Sequence, residues 1–321
     1  MNSSISSQHS ILSSGTSRLQ HGADVSVLIP NLHSPDLGRV LAALRVQTLL
    51  PREVIVIGQD RYGFAVEDEL VRVIATPHPV PPALVLNAAL SYAKGAVCCL
   101  LDADCEPTPG WLAALMQRIN EGYAVVGGGL GFQEQSYWQR CDNIASWACL
   151  MANAPAGLRP HLSSGNMAIR RDVLRQVGSH DERFRMAGGE DTELCFRLRW
   201  AGYKLFFEPR AVVYNHSDKD TARTTWQHLY RHGTQWHAAA ASHQAILPVS
   251  YWQHIATRWP AIGVALTPLV ALRDICEIYG AQQGLLRQQP ETLPGVFWAR
   301  TGWYIGRVAT IVQQPEGWGR R

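Results

Sequence analysis

The feature that most constrains the fold of this chain is an alternation of short apolar runs with segments of helical periodicity. The apolar runs have the length of buried strands, and they cover residues 25–29, 53–57, 71–75 and 96–101. Segments 36–48 and 82–94 carry apolar residues at helical spacing, and Gly95 is predicted to cap the second in a left-handed conformation. This alternation predicts an α/β fold: a mostly parallel sheet sandwiched by helices.

Polar residues follow several of these predicted strands directly. They are Pro30-Asn31, Gln59-Asp60 and Asp102-Ala103-Asp104. Ligands of open parallel sheets bind at the carboxyl ends of the strands, so we expect the chemistry of this protein at that edge.

Asp102 and Asp104 form the strongest chemical signal in the chain. Two carboxylates at the end of a buried strand repel one another unless a cation or hydrogen-bond donors lie between them. Mg²⁺ and Mn²⁺ bind such carboxylates together with substrate phosphate oxygens. The alternative is a solvated turn, because Asp is common where strands end.

A second acidic pair lies at a predicted helix start. Leu194 and Leu198 mark the apolar face of that helix, which places Glu190-Asp191 in its first turn, after two glycines. The helix dipole stabilises carboxylates at this position, and simple helix capping is the alternative. Further on, a strand-like run ends at His216, which is either a metal ligand or a structural hydrogen-bonding group.

Six stretches of the chain occur in a fixed order. They are 25–31, 53–60, Asn87-Ala88-Ala89-Leu90, Leu101-Asp102-Ala103-Asp104 with Pro109-Gly110-Trp111-Leu112, 164–171 (Ser-Gly-Asn-Met-Ala-Ile-Arg-Arg) and 189–194 (Gly-Glu-Asp-Thr-Glu-Leu). Together they resemble glycosyltransferase family 2, whose members have the nucleotide-sugar-binding glycosyltransferase-A fold. The resemblance runs from about residue 24 to residue 236.

The resemblance implies roles for individual residues. Asp104 is expected to bind the metal, with Asp102 and His216 completing its shell, and Asp191 is expected to act as the general base with Glu190 as its partner. The donor nucleotide is expected to contact Pro30, Asn31, His33, Asp60, Asn87, Asp102 and Ala103. The acceptor side is expected to include Gly165, Asn166 and Gly189.

These roles describe an inverting hexosyltransferase of polysaccharide biosynthesis. Its cofactor would be Mn²⁺ or Mg²⁺, its donor a nucleoside diphosphate sugar and its acceptor a glycan or a lipid-linked molecule. The metal would neutralise charge on the departing diphosphate while Asp191 takes the proton of the acceptor hydroxyl. Two alternatives are a catalytically silent glycan-binding or scaffold protein and a nucleotidyltransferase; the latter normally has a basic, Gly-rich loop after its first strand, unlike residues 31–38.

Composition excludes some other classes of protein. The net charge of +3 includes no long basic run, which argues against a nucleic-acid binder. Seven cysteines without a Cys-x-x-Cys pair are typical of reduced thiols, so we expect a cytoplasmic protein. Residues 1–23 are Ser-rich, lack signal-peptide features and are predicted to be a disordered tail.

The carboxy-terminal third differs in predicted secondary structure and in tryptophan content from the catalytic region, which is predicted to span 24–216. Residues 217–321 have a predicted helical organisation and contain seven of the eleven tryptophans. Two apolar stretches, 259–272 and 295–312, are too short or too interrupted to span a bilayer. We expect 246–321 to contact a membrane surface at the inner face of the cell membrane, or else to pack on protein.

Overall fold

The fold is described by a computed structural model that covers residues 23–131, 136–242, 251–282 and 284–313. The predicted disordered tail lies outside these residues, except for Ala23, which begins the first strand. The strands are β1 Ala23–Leu32, β2 Pro51–Gln59, β3 Val71–Ala75, β4 Val97–Leu101, β5 Cys105–Pro107, β6 Val125–Gly131, β7 Gly157–Leu158, β8 Asn166–Arg170 and β9 Leu205–Asn215.

The α-helices cover the sheet and continue past its last strand. They are α1 Leu37–Arg45, α2 Pro82–Tyr92, α3 Trp111–Asn120, α4 Tyr137–Trp147, α5 Arg171–Val177, α6 Glu190–Trp200, α7 Ala222–Ser242, α8 Tyr251–Arg258, α9 Pro260–Ala281, α10 Leu285–Gln288 and α11 Leu293–Gln313. The predicted α/β fold with a helical carboxy-terminal extension is therefore confirmed.

The sheet has two halves of different character. Its order is β3-β2-β1-β4-β8-β6-β9-β5, with β7 pairing on β9. The first four strands are parallel, as the alternation of strands and helices predicts. In the second half β8 runs antiparallel to both β4 and β6, and β5 and β7 run antiparallel to β9. Because β8 is antiparallel to β4, the start of β8 lies beside the carboxyl end of β4, which Asp102 follows.

Both faces of the sheet are buried, which explains why its strands are continuously apolar. Val27 and Ile29 of β1 face the core beneath α1 and α3, whereas Leu28 faces the core beneath α2 and α6. Burial on both faces removes the polar alternation that a half-exposed strand would have.

Gly95 does not adopt the left-handed conformation predicted for it, so that prediction was wrong. A glycine is needed there for a different reason, because a Cβ atom would lie 2.5 Å from the backbone nitrogen of Ser26. The backbone that follows α2 thus passes directly against β1, and Ser26 Oγ accepts a hydrogen bond from the Gly95 N–H at 2.8 Å.

The carboxy-terminal helices build a further apolar core, in addition to the two that cover the faces of the sheet. Side chains of α4, α7, α9 and α11 share it, among them Ile144, Leu229, Ile275 and Val296. None of the helices in the described ranges combines the length and the apolar character needed to cross a lipid bilayer.

Glycine residues set the distance between α7 and α11. A Cβ at Gly233 would lie 2.0 Å from the carbonyl oxygen of Trp303, and one at Gly306 would lie 2.1 Å from that of Tyr230. The two helices therefore cross with their backbones in contact, which only small residues allow.

We predict that Gly233→Ala lowers the free energy of unfolding by about 1–3 kcal/mol, because α7 and α11 must separate to admit the methyl group. Gly280→Ala is the matched control, since Gly280 lies near the end of α9 with open space around it. That change is expected to be neutral or to stabilise by up to about 1 kcal/mol through helix propensity. Urea unfolding of both variants measures the difference, and equal stabilities would contradict the close crossing.

Candidate active site

The site begins where β4 ends. The Asp102 N–H donates to the carbonyl oxygen of Gly165 at 3.3 Å, and the Cys105 N–H donates to the Asp102 carbonyl at 3.1 Å, which closes a tight turn. A Cβ at Gly165 would lie 2.5 Å from Asp102 Oδ2. Gly165, predicted on the acceptor side, is therefore the residue whose missing side chain leaves room for the Asp102 carboxylate.

Asp102 and Asp104 come together with Cys105 in one cluster of possible metal ligands. One ligand atom of each lies within 4.8 Å of the others. Burial raises the pKa of Asp102 to about 8, and the charge of Asp104 contributes to the increase. Burial also raises the pKa of Asp104. The two partly buried carboxylates therefore lack full compensation of their charge, and a hard divalent cation is the group that such oxygen donors suit.

His216 lies just past the end of β9, as predicted, and its backbone N–H donates to the Asp104 carbonyl at 2.9 Å. Its ring points elsewhere: Nε2 is 2.8 Å from Glu106 Oε2. The sequence therefore placed His216 beside the aspartates, but in this arrangement its imidazole is paired with Glu106 and is not part of the ligand cluster.

The second acidic pair lies at the start of α6, as predicted. Glu190 Oε2 accepts hydrogen bonds from the N–H groups of Gly188 and Gly189, both at 2.8 Å. Burial raises the pKa of Glu190 to about 7, and the adjacent charge of Asp191 acts in the same direction. The glycines are required because α7 packs against them: a Cβ at Gly189 would lie 2.9 Å from the Cβ of Gln235.

Asp191 has the opposite electrostatic environment. Although burial raises its pKa, interactions with His161, with help from His232 and the Thr192 N–H, lower it to about 2. The Thr192 N–H donates to Asp191 Oδ1 at 2.6 Å, and His161 Nε2 is 3.6 Å from Asp191 Oδ2. The two neighbouring carboxyl groups thus differ in pKa, with Asp191 held as the anion.

The two acidic groups lie in one electrostatic environment. The charges of Glu190 and Asp191 both raise the pKa of Asp102, which puts the start of α6 close to the end of β4. Lys219, in the segment between β9 and α7, lowers the pKa of both Asp102 and Asp104 and is a positive charge that supports them.

The predicted donor residues at the ends of β1 and β2 form a network of their own. Asn31 Nδ2 donates to the Gln59 carbonyl at 2.9 Å. His33 has a positive φ of 56°, and its Nδ1 accepts from the Arg61 N–H at 3.1 Å. The Asp60 carboxylate accepts two backbone N–H groups of the loop that follows it, at 3.0 and 2.7 Å. These contacts fix the edge of the cleft that the first two strands form.

The other predicted donor residues occupy different parts of the fold. Pro30 lies within β1, and the carbonyl of Ala103 accepts a hydrogen bond from Ser34 Oγ at 2.9 Å. Asn87 of α2 exchanges two hydrogen bonds with the backbone of His180, at 2.8 and 2.9 Å. Asn87 therefore ties α2 to the segment that leads into α6.

Of the residues predicted on the acceptor side, Asn166 is part of the core. Its Oδ1 accepts from Trp111 Nε1 at 2.8 Å, and its Nδ2 donates to two backbone carbonyls at 3.0 and 3.2 Å. With its amide used in this way, Asn166 holds β8 in place, whereas Gly165 and Gly189 border the two acidic pairs directly.

Sequence reasoning missed three residues of the site: His161, Lys219 and His232. Each lies outside the family-like stretches, and an isolated His or Lys carries no sequence signal of its own. The one available hint for Lys219 was its position, three residues after His216.

Comparisons with known proteins match this chain to glycosyltransferases. Residues 26–178 match the family model of glycosyl transferase family 2. The pre-mycofactocin glycosyltransferase of Mycobacterium tuberculosis is 29% identical over 207 residues, which cover 59% of this chain and 42% of that protein. The N-acetylglucosaminyl-diphospho-decaprenol L-rhamnosyltransferase of the same species is 27% identical over 191 residues, covering 56% of this chain and 60% of that protein.

The fold likeness extends over nearly the whole chain. The structure of the mannosyltransferase PcManGT from Pyrobaculum calidifontis, in complex with GDP-Man and Mn²⁺, superposes with a TM-score of 0.57 at 18% identity. It covers 92% of this chain and 89% of that one. The order of motifs, the sheet and these matches agree: residues 26–178 match glycosyltransferase family 2, and the chain has a glycosyltransferase-A fold.

Proposed function

We propose that this protein transfers a sugar from a nucleoside diphosphate sugar to a hydroxyl group of a glycan or a lipid-linked acceptor. The observation that carries the proposal is the convergence of Asp102 and Asp104 with Glu190 and Asp191 at one edge of the sheet, where their charges interact. One pair suits a metal-bound diphosphate, and the other offers a base. PcManGT, which has the same fold, was solved with GDP-Man and Mn²⁺, and the mycobacterial rhamnosyltransferase is named for a lipid-diphosphate acceptor.

The donor end of the cleft is proposed to hold the nucleoside diphosphate sugar against β1, β2 and β4. Mn²⁺ or Mg²⁺ held by Asp102 and Asp104 would supply positive charge for the departing diphosphate. Lys219 adds a second positive charge beside the same carboxylates. His216 is proposed to complete this end of the site, which requires that its imidazole exchange Glu106 for the metal or the diphosphate.

The acceptor end is proposed to use Asp191 as the general base. Its carboxylate accepts the proton of the acceptor hydroxyl as that oxygen bonds to the anomeric carbon. The bond between that carbon and the diphosphate oxygen breaks at the same time, and its electron pair leaves with the nucleoside diphosphate. A single displacement of this kind inverts the anomeric configuration. Glu190, fixed by two backbone N–H groups, is proposed to hold the first turn of α6 in position.

The carboxy-terminal helices are proposed to bring the protein to a membrane surface on the cytoplasmic side. One face of α9 leaves Ile262, Leu269 and Leu272 about half exposed, and Trp259 precedes it. Arg258 and Arg273 flank this face, so anionic headgroups and apolar side chains can both contribute. Such contact would place a lipid-linked acceptor near the enzyme and fits a role in polysaccharide synthesis.

A panel of nucleotide sugars tests the reaction directly, with Mn²⁺ or chelator and with hydrolysis as a readout that needs no acceptor. We expect Asp191→Asn to lower kcat for transfer by about 10²–10⁴ and to leave donor binding nearly unchanged, because the proton acceptor is lost and the shape is kept. Asp104→Asn should weaken metal-dependent donor binding instead. Equal loss of donor binding in both variants would contradict this division of roles, and turnover at full rate after metal removal would contradict the metal.

Thermal unfolding tests the metal site without turnover. The pKa of Asp102 in the folded protein, about 8, is above its ordinary value near 4. The contribution of this group to the free energy of unfolding is therefore fully present at low pH, where Asp102 is protonated, and it is lost as the pH rises through 8. In chelator, Asp102→Asn should therefore stabilise the protein by about 1–4 kcal/mol at pH 8 and by less at pH 5. Mn²⁺ should raise the Tm of the wild type and not that of the variant. A destabilised variant in chelator would show that the carboxylates are already compensated.

Flotation with anionic liposomes tests the membrane surface on the full chain. The double change Leu269→Glu and Leu272→Glu should abolish binding, because it places two negative charges on the apolar face. Val46→Glu is the matched control: Val46 is 65% exposed at the end of α1, remote in sequence from this face. Binding by the control and not by the double variant supports the proposal, whereas equal binding by both refutes it.

A further inference from the structure

One loop of the protein contacts both acidic pairs. The segment between β7 and β8 ends at Gly165, which accepts the Asp102 N–H and makes room for its carboxylate. Four residues earlier, His161 Nε2 lies 3.1 Å from Thr192 Oγ1 and 3.6 Å from Asp191 Oδ2. The same short segment therefore touches the proposed metal ligand and the proposed base.

His161 is held against α6 by its neighbour. The Leu162 N–H donates to Cys195 Sγ, and the Cys195 thiol donates to the Leu162 carbonyl, both at 3.5 Å. Cys195 follows Asp191 by four residues, so both side chains lie on the same face of α6. The Leu162 side chain is buried over Gly127, where a Cβ would lie 2.5 Å from it.

The imidazole of His161 also reaches solvent. Its side chain is 27% exposed, whereas that of Asp191 is 10% exposed. A proton on Asp191 has a short route outward through this ring, and Thr192, whose hydroxyl lies between the two groups, fixes the orientation of both.

We propose that His161 receives from Asp191 the proton that the acceptor hydroxyl gives up, and so acts as a positioning and proton-relay residue for the base. This inference rests on the proposed function, and it adds the fate of the proton. Asp191 first takes the proton as the new glycosidic bond forms. The proton then moves from the Asp191 carboxyl to a neutral His161, which leaves a carboxylate beside an imidazolium ion, and the imidazolium releases the proton to water.

The difference in exposure explains why a relay is useful. The Asp191 carboxylate is buried, whereas the His161 imidazole, 3.6 Å away, reaches solvent and offers the proton a way out of the site. His232, which also affects Asp191, is only partly exposed, and desolvation lowers its pKa to about 3, so it is a poor recipient.

Chemical rescue tests the proposal. In His161→Ala we expect kcat for transfer to fall about 10–100-fold, with the KM for the donor changed less than twofold. Added imidazole should restore kcat at least several-fold in a saturable manner, because it can occupy the vacated space and accept the proton. His254→Ala, a change of an exposed histidine on α8, is the matched control and should show neither the loss nor the rescue.

A second variant separates the relay from simple hydrogen bonding. Gln at position 161 can still hydrogen-bond to Thr192 but cannot accept a proton, so His161→Gln should be as slow as His161→Ala and should not respond to imidazole. Full activity of His161→Gln, or of His161→Ala without imidazole, would overturn the proposal. If the wild type itself transfers no sugar from any donor while binding it, the proposed function fails instead, and the two failures are distinct.

Discussion

The structure depends on holding four carboxyl groups close together, of which Glu190 and Asp191 are buried and Asp102 and Asp104 are partly buried. Asp102, Asp104, Glu190 and Asp191 come from two distant parts of the chain, and their mutual repulsion raises the cost of folding. The protein offsets this repulsion by different means, and only in part at the first pair. Lys219 faces the first pair, backbone N–H groups of the glycine turn bind Glu190, and His161 binds Asp191. What remains uncompensated is the pair at the end of β4, where a divalent cation would have the largest effect.

Small residues make this convergence possible. Gly165 leaves space for the Asp102 carboxylate, and Gly188 and Gly189 allow α7 to pack on the start of α6. Gly127 makes room for Leu162, which anchors the segment carrying His161. At each of these glycines a neighbouring group lies so close that a Cβ atom would contact it. An alanine at any of these positions would therefore displace part of the site.

The carboxy-terminal helices serve the catalytic region as well as offering an exposed face. α7 supports the α6 turn through His232 and Gln235, and α11 packs on α7 through close glycine contacts. Side chains of α9 and α11 share a core with α4. Removal of these helices would expose the apolar surface that they share with α4.

Much of this arrangement was predictable from local patterns. Strand and helix periodicity predicted the parallel half of the sheet, and motif order placed Asp102, Asp104, Glu190 and Asp191 at element ends, because both signals depend on residues close in sequence. The pairing of β8 between β4 and β6, the packing of the carboxy-terminal helices and the environment of Gly95 were not predictable, since they depend on contacts between distant segments.

The same division applies to the site itself. The sequence by itself determined which carboxyl groups meet at the carboxyl edge of the sheet, because strand ends and helix starts fix their positions. Only the tertiary structure decided that His216 pairs with Glu106, that Asn166 is used in the core, and that Lys219 and His161 complete the site. The physical reason is that ion pairs and hydrogen bonds between side chains require a distance and an orientation, and those exist only once the loops have packed against the sheet.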